Sequence, residues 1–121
     1  MIRLNVLKEP LVSCCNQPKT GYFRDGFCRT DDHDFGRHVL CSIVTEKFLA
    51  FTLNQGNDLI TPRPEFSFSG LRPGNRWCLC ALRWKEAWAA SCAPPVDLQA
   101  TDIKALDYIP IENLKELAIE K

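Results

Sequence analysis

Val39-Leu40-Cys41-Ser42-Ile43-Val44 and Trp77-Cys78-Leu79-Cys80-Ala81-Leu82 decide the fold. The first is a short, continuous apolar run of β-branched character, which predicts a buried strand. The second is apolar at both positions of a two-residue repeat, which predicts a central strand covered on both faces. Each run is followed by a helix signal. Thr45 offers an N-cap with Glu46 in the first turn, Phe48, Leu49, Thr52 and Leu53 recur at helical spacing, and Gly56 closes the helix. Trp84, Ala87, Trp88 and Ser91 then fall at i, i+3, i+4 and i+7, and Pro94-Pro95 ends that helix.

Outward from these units the chain is less regular. Residues 57–75 are rich in Pro and Gly, which forbids a long element, and Phe66, Phe68 and Leu71 are expected to pin this loop to the core. Residues 10–38 are dense in turn formers and read as a loop-rich N-terminal third, with a short hairpin about Asp25-Gly26. Val96 to Ala100 alternates as a half-exposed strand would. Thr101 is placed to cap a short helix carrying Ile103 and Leu106. Pro110 opens a last helix with Ile111, Leu114, Leu117 and Ala118 on one stripe. The expectation is one α+β domain over residues 1–121, with a small, mainly antiparallel sheet and three or four short helices.

Bulk composition narrows the function classes. At 121 residues the chain is one domain's worth and can bury a core without disulfides or metal. Hydrophobic residues at 45% and charged residues at 25% exclude a disordered chain. Lys+Arg and Asp+Glu number 15 each, with no basic stripe, so no nucleic-acid partner is expected. No polybasic patch and no run of about 18 apolar residues is present, so no membrane association is expected either. The apolar start of the chain is broken by Arg3 and Lys8, unlike a secretory signal, and a cytoplasmic location is expected. The seven cysteines are odd in number. With that location, they read as free thiols or metal ligands rather than a disulfide framework.

Three constellations could carry chemistry. Cys78 and Cys80 share one face of a strand, and Cys28, His38 and Cys41 are candidates to complete a shell around zinc or iron, for which thiolate and imidazole are suited. The plain alternative is that these cysteines are small buried hydrophobes. Cys78 and Cys80 are poorly placed to bond each other, since i and i+2 Cα atoms in a strand lie about 6.5–7 Å apart. Second, Cys28 follows Arg24, and His38 could serve it as a base, which would make a small enzyme using a Cys–His pair. Third, Arg24, Asp25, Asn57, Asp58, Arg63 and Arg76 lie on Gly- and Pro-bearing loops and could hold a small anionic ligand. Their alternative role is to tie the long loops down through Asp–Arg pairs. A non-catalytic protein-interaction module is the remaining reading. Trp77, Trp84 and Trp88 are expected in the core, and Cys15 and Cys92 are incidental. Asp31-Asp32-His33-Asp34 lacks the glycine and distal Glu of a calcium loop and reads as a solvated turn. Dinucleotide, P-loop, nucleophile-elbow and zincin motifs are absent.

Several stretches resemble a bacterial and plant family known as domain of unknown function 2237. They are Thr20-Gly21-Tyr22-Phe23-Arg24-Asp25-Gly26-Phe27-Cys28, Gly36-Arg37-His38-Val39-Leu40-Cys41, Gly56-Asn57-Asp58-Leu59 with Thr61-Pro62-Arg63-Pro64, and Gly70-Leu71-Arg72-Pro73-Gly74. Arg76-Trp77-Cys78-Leu79-Cys80-Ala81, Arg83-Trp84-Lys85-Glu86-Ala87, Ala93-Pro94-Pro95-Val96 and Ala100-Thr101 follow in the same order. The resemblance spans about Asn5 to Ala118. It implies cysteine at the positions of Cys14, Cys28, Cys41, Cys78 and Cys80 and histidine at that of His38. It implies no particular activity. Asn75, Ser69 and Asp102 depart from the Asp, Pro and His usual there, which excludes position 102 as a shared ligand or base.

Overall fold

The computed structural model describes residues 3–15, 20, 25–31, 33, 34, 37–66 and 68–119. Two strands, β1 (His38–Ile43) and β2 (Arg76–Cys80), form an antiparallel pair. Three α-helices accompany them: α1 (Glu46–Asn54), α2 (Ala81–Ala89) and α3 (Ile111–Glu116). The chain is therefore a single α+β domain with a small antiparallel sheet, as its pattern predicts.

The register explains how the sheet serves two cores. Leu40 faces Leu79, Cys41 faces Cys78, Ser42 faces Trp77 and Ile43 faces Arg76, while an irregularity between His38 and Leu40 sets His38 against Cys80. Cross-strand partners share a face, and successive pairs alternate. Leu40, Leu79 and Trp77 therefore join the main hydrophobic core with Phe48, Trp84, Ile109 and Leu114. Cys41 and Cys78 point the other way, into a second buried cluster with Cys14, Cys28 and Ala100. Fully burying each large side chain of the main core contributes roughly 1.5–3 kcal/mol.

Local chemistry sets the element ends. The Thr45 hydroxyl accepts a hydrogen bond from the Phe48 amide at 3.1 Å and starts α1. Gly56, with φ +89°, closes it. Among its described residues the loop over residues 57–75 holds one 3-10 turn, Pro64–Phe66. Leu71 is buried, and Phe68 packs at a tilt against Trp77 with ring centroids 5.2 Å apart, so these two expected anchors pin the loop, while the Phe66 side chain lies outside what is described. Gly70 is required there. Its φ is +83°, and a Cβ would collide with the Ile60 carbonyl oxygen.

Four local expectations are corrected. Leu82 does not continue the strand: α2 starts at Ala81, with Cys80 at the N-cap, and leaves Leu82 56% exposed. Trp88, at 37%, is likewise on the surface, whereas Trp77 and Trp84 are core. Residues 96–100 are not a strand. Val96 makes isolated bridges to Ser42 and Ala118, and the chain then turns into a 3-10 segment, Leu98–Ala100, because the Asp97 carboxylate accepts the Gln99 amide. The next 3-10 segment, Ile103–Asp107, is capped by Asp102 rather than Thr101. The hairpin expected about Asp25-Gly26 would run through residues 21–24, which lie outside the described residues. Gly26, at φ +90°, makes a bend there, and Cys28 bridges Thr101. Residues 95–102 instead cover the outer edge of β1: Ile43 donates to the Pro95 carbonyl, Asp97 to that of Cys41 and Asp102 to that of Val39.

Candidate functional site

The second cluster is assembled from three parts of the chain. Cys41 and Cys78 come from the central rungs of the ladder. Cys14 and Cys28 come from the N-terminal loop. The Cys14 amide donates to the Gly26 carbonyl at 2.6 Å, the Gly26 amide to that of Thr20 at 2.9 Å, and the Asp25 carboxylate accepts the Phe27 amide at 3.1 Å. The loop so folded brings both cysteines onto the sheet. The pairing is Cys14–Cys41 and Cys28–Cys78. The expectation that the chain has no disulfide framework is thereby corrected. Cysteine count and expected compartment favoured free thiols, but three-dimensional convergence pairs four of the seven.

The two disulfides abut. The sulfurs of Cys14, Cys28 and Cys78 all lie within 4.8 Å of one another, and Cys41 is bonded to Cys14. The four residues are 0–5% exposed. Threonine hydroxyls hold the strands around them. Thr20 accepts the Cys78 amide at 2.7 Å, and Thr101 accepts the Cys41 amide at 3.2 Å and donates to the Asp97 carbonyl. Among the described residues one cation borders the cluster: an Arg76 guanidinium nitrogen lies 3.8 Å from the Cys41 sulfur and 2.7 Å from the Asp97 carboxylate.

Of the metal-ligand candidates, Cys28, Cys41 and Cys78 are gathered here, and Cys14 joins them. Residue spacing did not point to Cys14, which sits in an aperiodic loop beside Cys15. Only the family resemblance singled it out. His38 and Cys80 lie two rungs further along the ladder and are not in the group of converging sulfurs. The pairing of Cys28 with His38 as nucleophile and base is not supported, because the disulfide to Cys78 leaves Cys28 no thiol. His38 Nδ1 instead meets the buried Asp34 carboxylate at 2.7 Å. The same carboxylate accepts the His38 amide at 2.9 Å and the Thr30 hydroxyl at 3.0 Å. Burial raises the Asp34 carboxyl, but these bonds outweigh it and hold it below the ordinary carboxylate value.

The loop candidates are dispersed into structural roles. Arg24 lies outside the described residues. Asp25 pairs with Arg29 at 2.7 Å, and although burial raises its carboxyl, that partner and the Phe27 amide bring it below the ordinary value. The exposed Asp58 carboxyl is lowered by hydrogen bonds from Thr61 and Ile60, whose amides it holds in a turn. Asn57 donates to the Thr52 hydroxyl. Arg63 is exposed and shares a two-residue backbone ladder with Phe68. Of the described candidates, Arg76 alone reaches the cysteine cluster. A cleft of about 340 Å³ lies between Arg3, Leu11, Asp25, Phe27 and Arg29, and its two arginines are engaged with Asp102 and Asp25.

These features define a small α+β domain with an apolar core on one side of a two-stranded ladder and a buried four-cysteine centre on the other. The family model described as "Uncharacterized protein conserved in bacteria (DUF2237)" matches residues 4–118, and the chain belongs to that family. Comparison with curated proteins found no match. No helix among the described residues is long and apolar enough to cross a membrane.

Proposed function

We propose that the four buried cysteines form a metal centre that is available when reduced and closed when oxidised. The observation that carries it is the mutual approach of the sulfurs of Cys14, Cys28 and Cys78 within 4.8 Å, with Cys41 bonded to the first. In a tetrahedral four-thiolate zinc site, Zn–S bonds of about 2.3 Å set the sulfurs about 3.8 Å apart. Opening both disulfides leaves three sulfurs already within 4.8 Å of one another, and the Cys41 sulfur, next to that of Cys14, moves in to complete the shell. Four-sulfur coordination suits zinc or iron. Binding one divalent ion to four thiols releases four protons and leaves a net charge of minus two. Arg76, beside Cys41, is placed to offset part of it. As disulfides, the same sulfurs are four electrons short of the thiolate state and do not ligate.

The test is anaerobic. The protein is reduced with a phosphine, freed of it and titrated with cobalt(II). One cobalt per chain is expected, with the sulfur-to-metal charge-transfer band and intense visible bands of a tetrahedral thiolate site, displaced by zinc. Untreated, oxidised protein is expected to bind none. Cys14→Ser combined with Cys41→Ser should abolish the spectrum. A folded, reduced protein that binds no cobalt, or a spectrum indifferent to those substitutions, overturns the reading.

A further inference from the structure

We propose that the cleft between the ends of α2 and α3 binds a small primary alkylammonium ion, held by the Trp88 indole and the Glu116 carboxylate. The cleft has a volume of about 500 Å³ and is lined by Trp88, Ala89, Ser91, Ala93, Glu116 and Leu117. That is within the range of small-molecule sites. Each recognition group is placed by the helix that carries it. Trp88 lies in the last turn of α2, and Glu116 is the last residue of α3. The indole Nε1–H donates to Glu116 Oε2 at 3.3 Å and ties the two side chains together. Trp88 is 37% exposed, whereas Trp77 and Trp84 are core. Among the described residues no second ring packs on the Trp88 indole, and no cation pairs with Glu116. An exposed aromatic face and a carboxylate are thus presented side by side to solvent.

The charge of the cleft selects a cation. Glu116 supplies a carboxylate. Ala89 and Ser91, at the C-terminal end of the nine-residue α2, form part of the wall, and that end carries the negative pole of the helix with no basic residue in its last turn. Lys85 and Lys115, the cations nearest to Trp88 and Glu116 in sequence, do not line the cleft. The indole face attracts a cation through its quadrupole. The remaining carboxylate oxygen then selects among cations. Oε2 already accepts the indole N–H, so a guanidinium cannot engage both oxygens as a fork. An ammonium is a compact point charge and needs only Oε1. A quaternary ammonium has no N–H to give it. Methylenes behind the nitrogen lie over the indole and against the apolar side chains of Ala89, Ala93 and Leu117. None of the four paired cysteines lines the cleft, so the site is separate from the proposed metal centre.

The experiment titrates the whole chain, nitrogen-15 labelled and oxidised as it stands, with n-pentylammonium chloride at constant ionic strength. Saturable millimolar binding is expected, with NMR shifts centred on the Trp88 indole N–H and the amides of Ala89, Ser91, Ala93 and Leu117. The uncharged 1-pentanol should bind about 3- to 30-fold more weakly, the product of an exposed cation–π contact and an exposed ion pair. Glu116→Gln keeps an oxygen to accept the indole N–H. It should weaken pentylammonium about 2- to 5-fold and leave pentanol unchanged. Trp88→Leu, at an exposed position, should weaken pentylammonium by a similar factor of about 2 to 5. Pentylguanidinium and trimethylpentylammonium should each bind more weakly than pentylammonium. Equal binding of pentylammonium and pentanol, an affinity unmoved by Glu116→Gln, or shifts centred elsewhere on the chain would each overturn the assignment. Tighter binding of either substituted cation would overturn the selection of a primary ammonium.

Discussion

On one face of the β1–β2 ladder, Leu40 and Leu79 lie in a core with Phe48, Trp84 and Leu114; on the other, Cys41 and Cys78 meet Cys14 and Cys28. The first face is held by area removed from water, and α1 and α2, the helices covering it, follow directly in sequence from the strands. The second is covered by an aperiodic N-terminal loop. It is held by sulfur bonds and by side chains that satisfy backbone groups: Asp25, Asp34 and Thr20. One strand pair therefore anchors an apolar core and, on the proposed reading, a centre whose chemistry depends on the redox state of its surroundings. The first face makes the domain fold, and the second makes part of its stability conditional.

Reduction is the most severe test of that contrast. The disulfides span 27 and 50 residues, and loops of that size correspond to about 3–4 kcal/mol each. Denaturant unfolding of reduced protein in the presence of a chelator should show a loss of that order, and zinc should recover much of it. If reduced and oxidised protein unfold at the same midpoint, the second face is not held by its sulfurs.

On the first face, Leu79→Ala should cost about 2–5 kcal/mol in oxidised and reduced protein alike, as a cavity in a permanent core must. Unfolding curves in both redox states measure it. A cost confined to one state would show that the faces are coupled. Thr45→Ala, which removes the cap of α1, should cost about 1 kcal/mol by the same measurement, again without regard to redox state.

The smallest effect is expected from acid. The folded Asp34 carboxyl sits below its unfolded value, so its contribution is present above about pH 4, the ordinary carboxylate range, and is lost as pH falls through the folded value. Thermal melting between pH 6 and pH 3, taken as the difference between wild type and His38→Ala, should show a steeper fall in the wild type. Parallel curves would remove His38 from the account of how Asp34 is held.

Much of the first face was legible from the residues. The apolar run ending at Val44, the Thr45 cap, the helical spacing of Phe48, Leu49 and Thr52 and the terminal Gly56 agree with one another, and local signals that agree specify local structure. The departures have nonlocal causes. Leu82 continues the apolar run of β2, yet the chain turns into α2 one residue earlier. Val96 to Ala100 alternates like a strand but is drawn along the edge of β1 by Asp97 and by the backbone groups there. At the candidate site, Cys28, Cys41 and Cys78 were recognisable as a set, whereas Asp34 carried no signal beyond lying four residues before His38 in a turn.

The sequence by itself determined the two strand–helix units, the α+β class and the family, because these depend on periodicity, capping and motif order within short windows. Only the tertiary structure decided which cysteines meet and that His38 stands opposite Cys80 with Asp34 behind it. Those are contacts between residues distant in the chain, created by strand register and by the fold of an aperiodic loop. Register and loop closure depend on the whole assembly of packing and hydrogen bonds, which no local pattern of residues encodes.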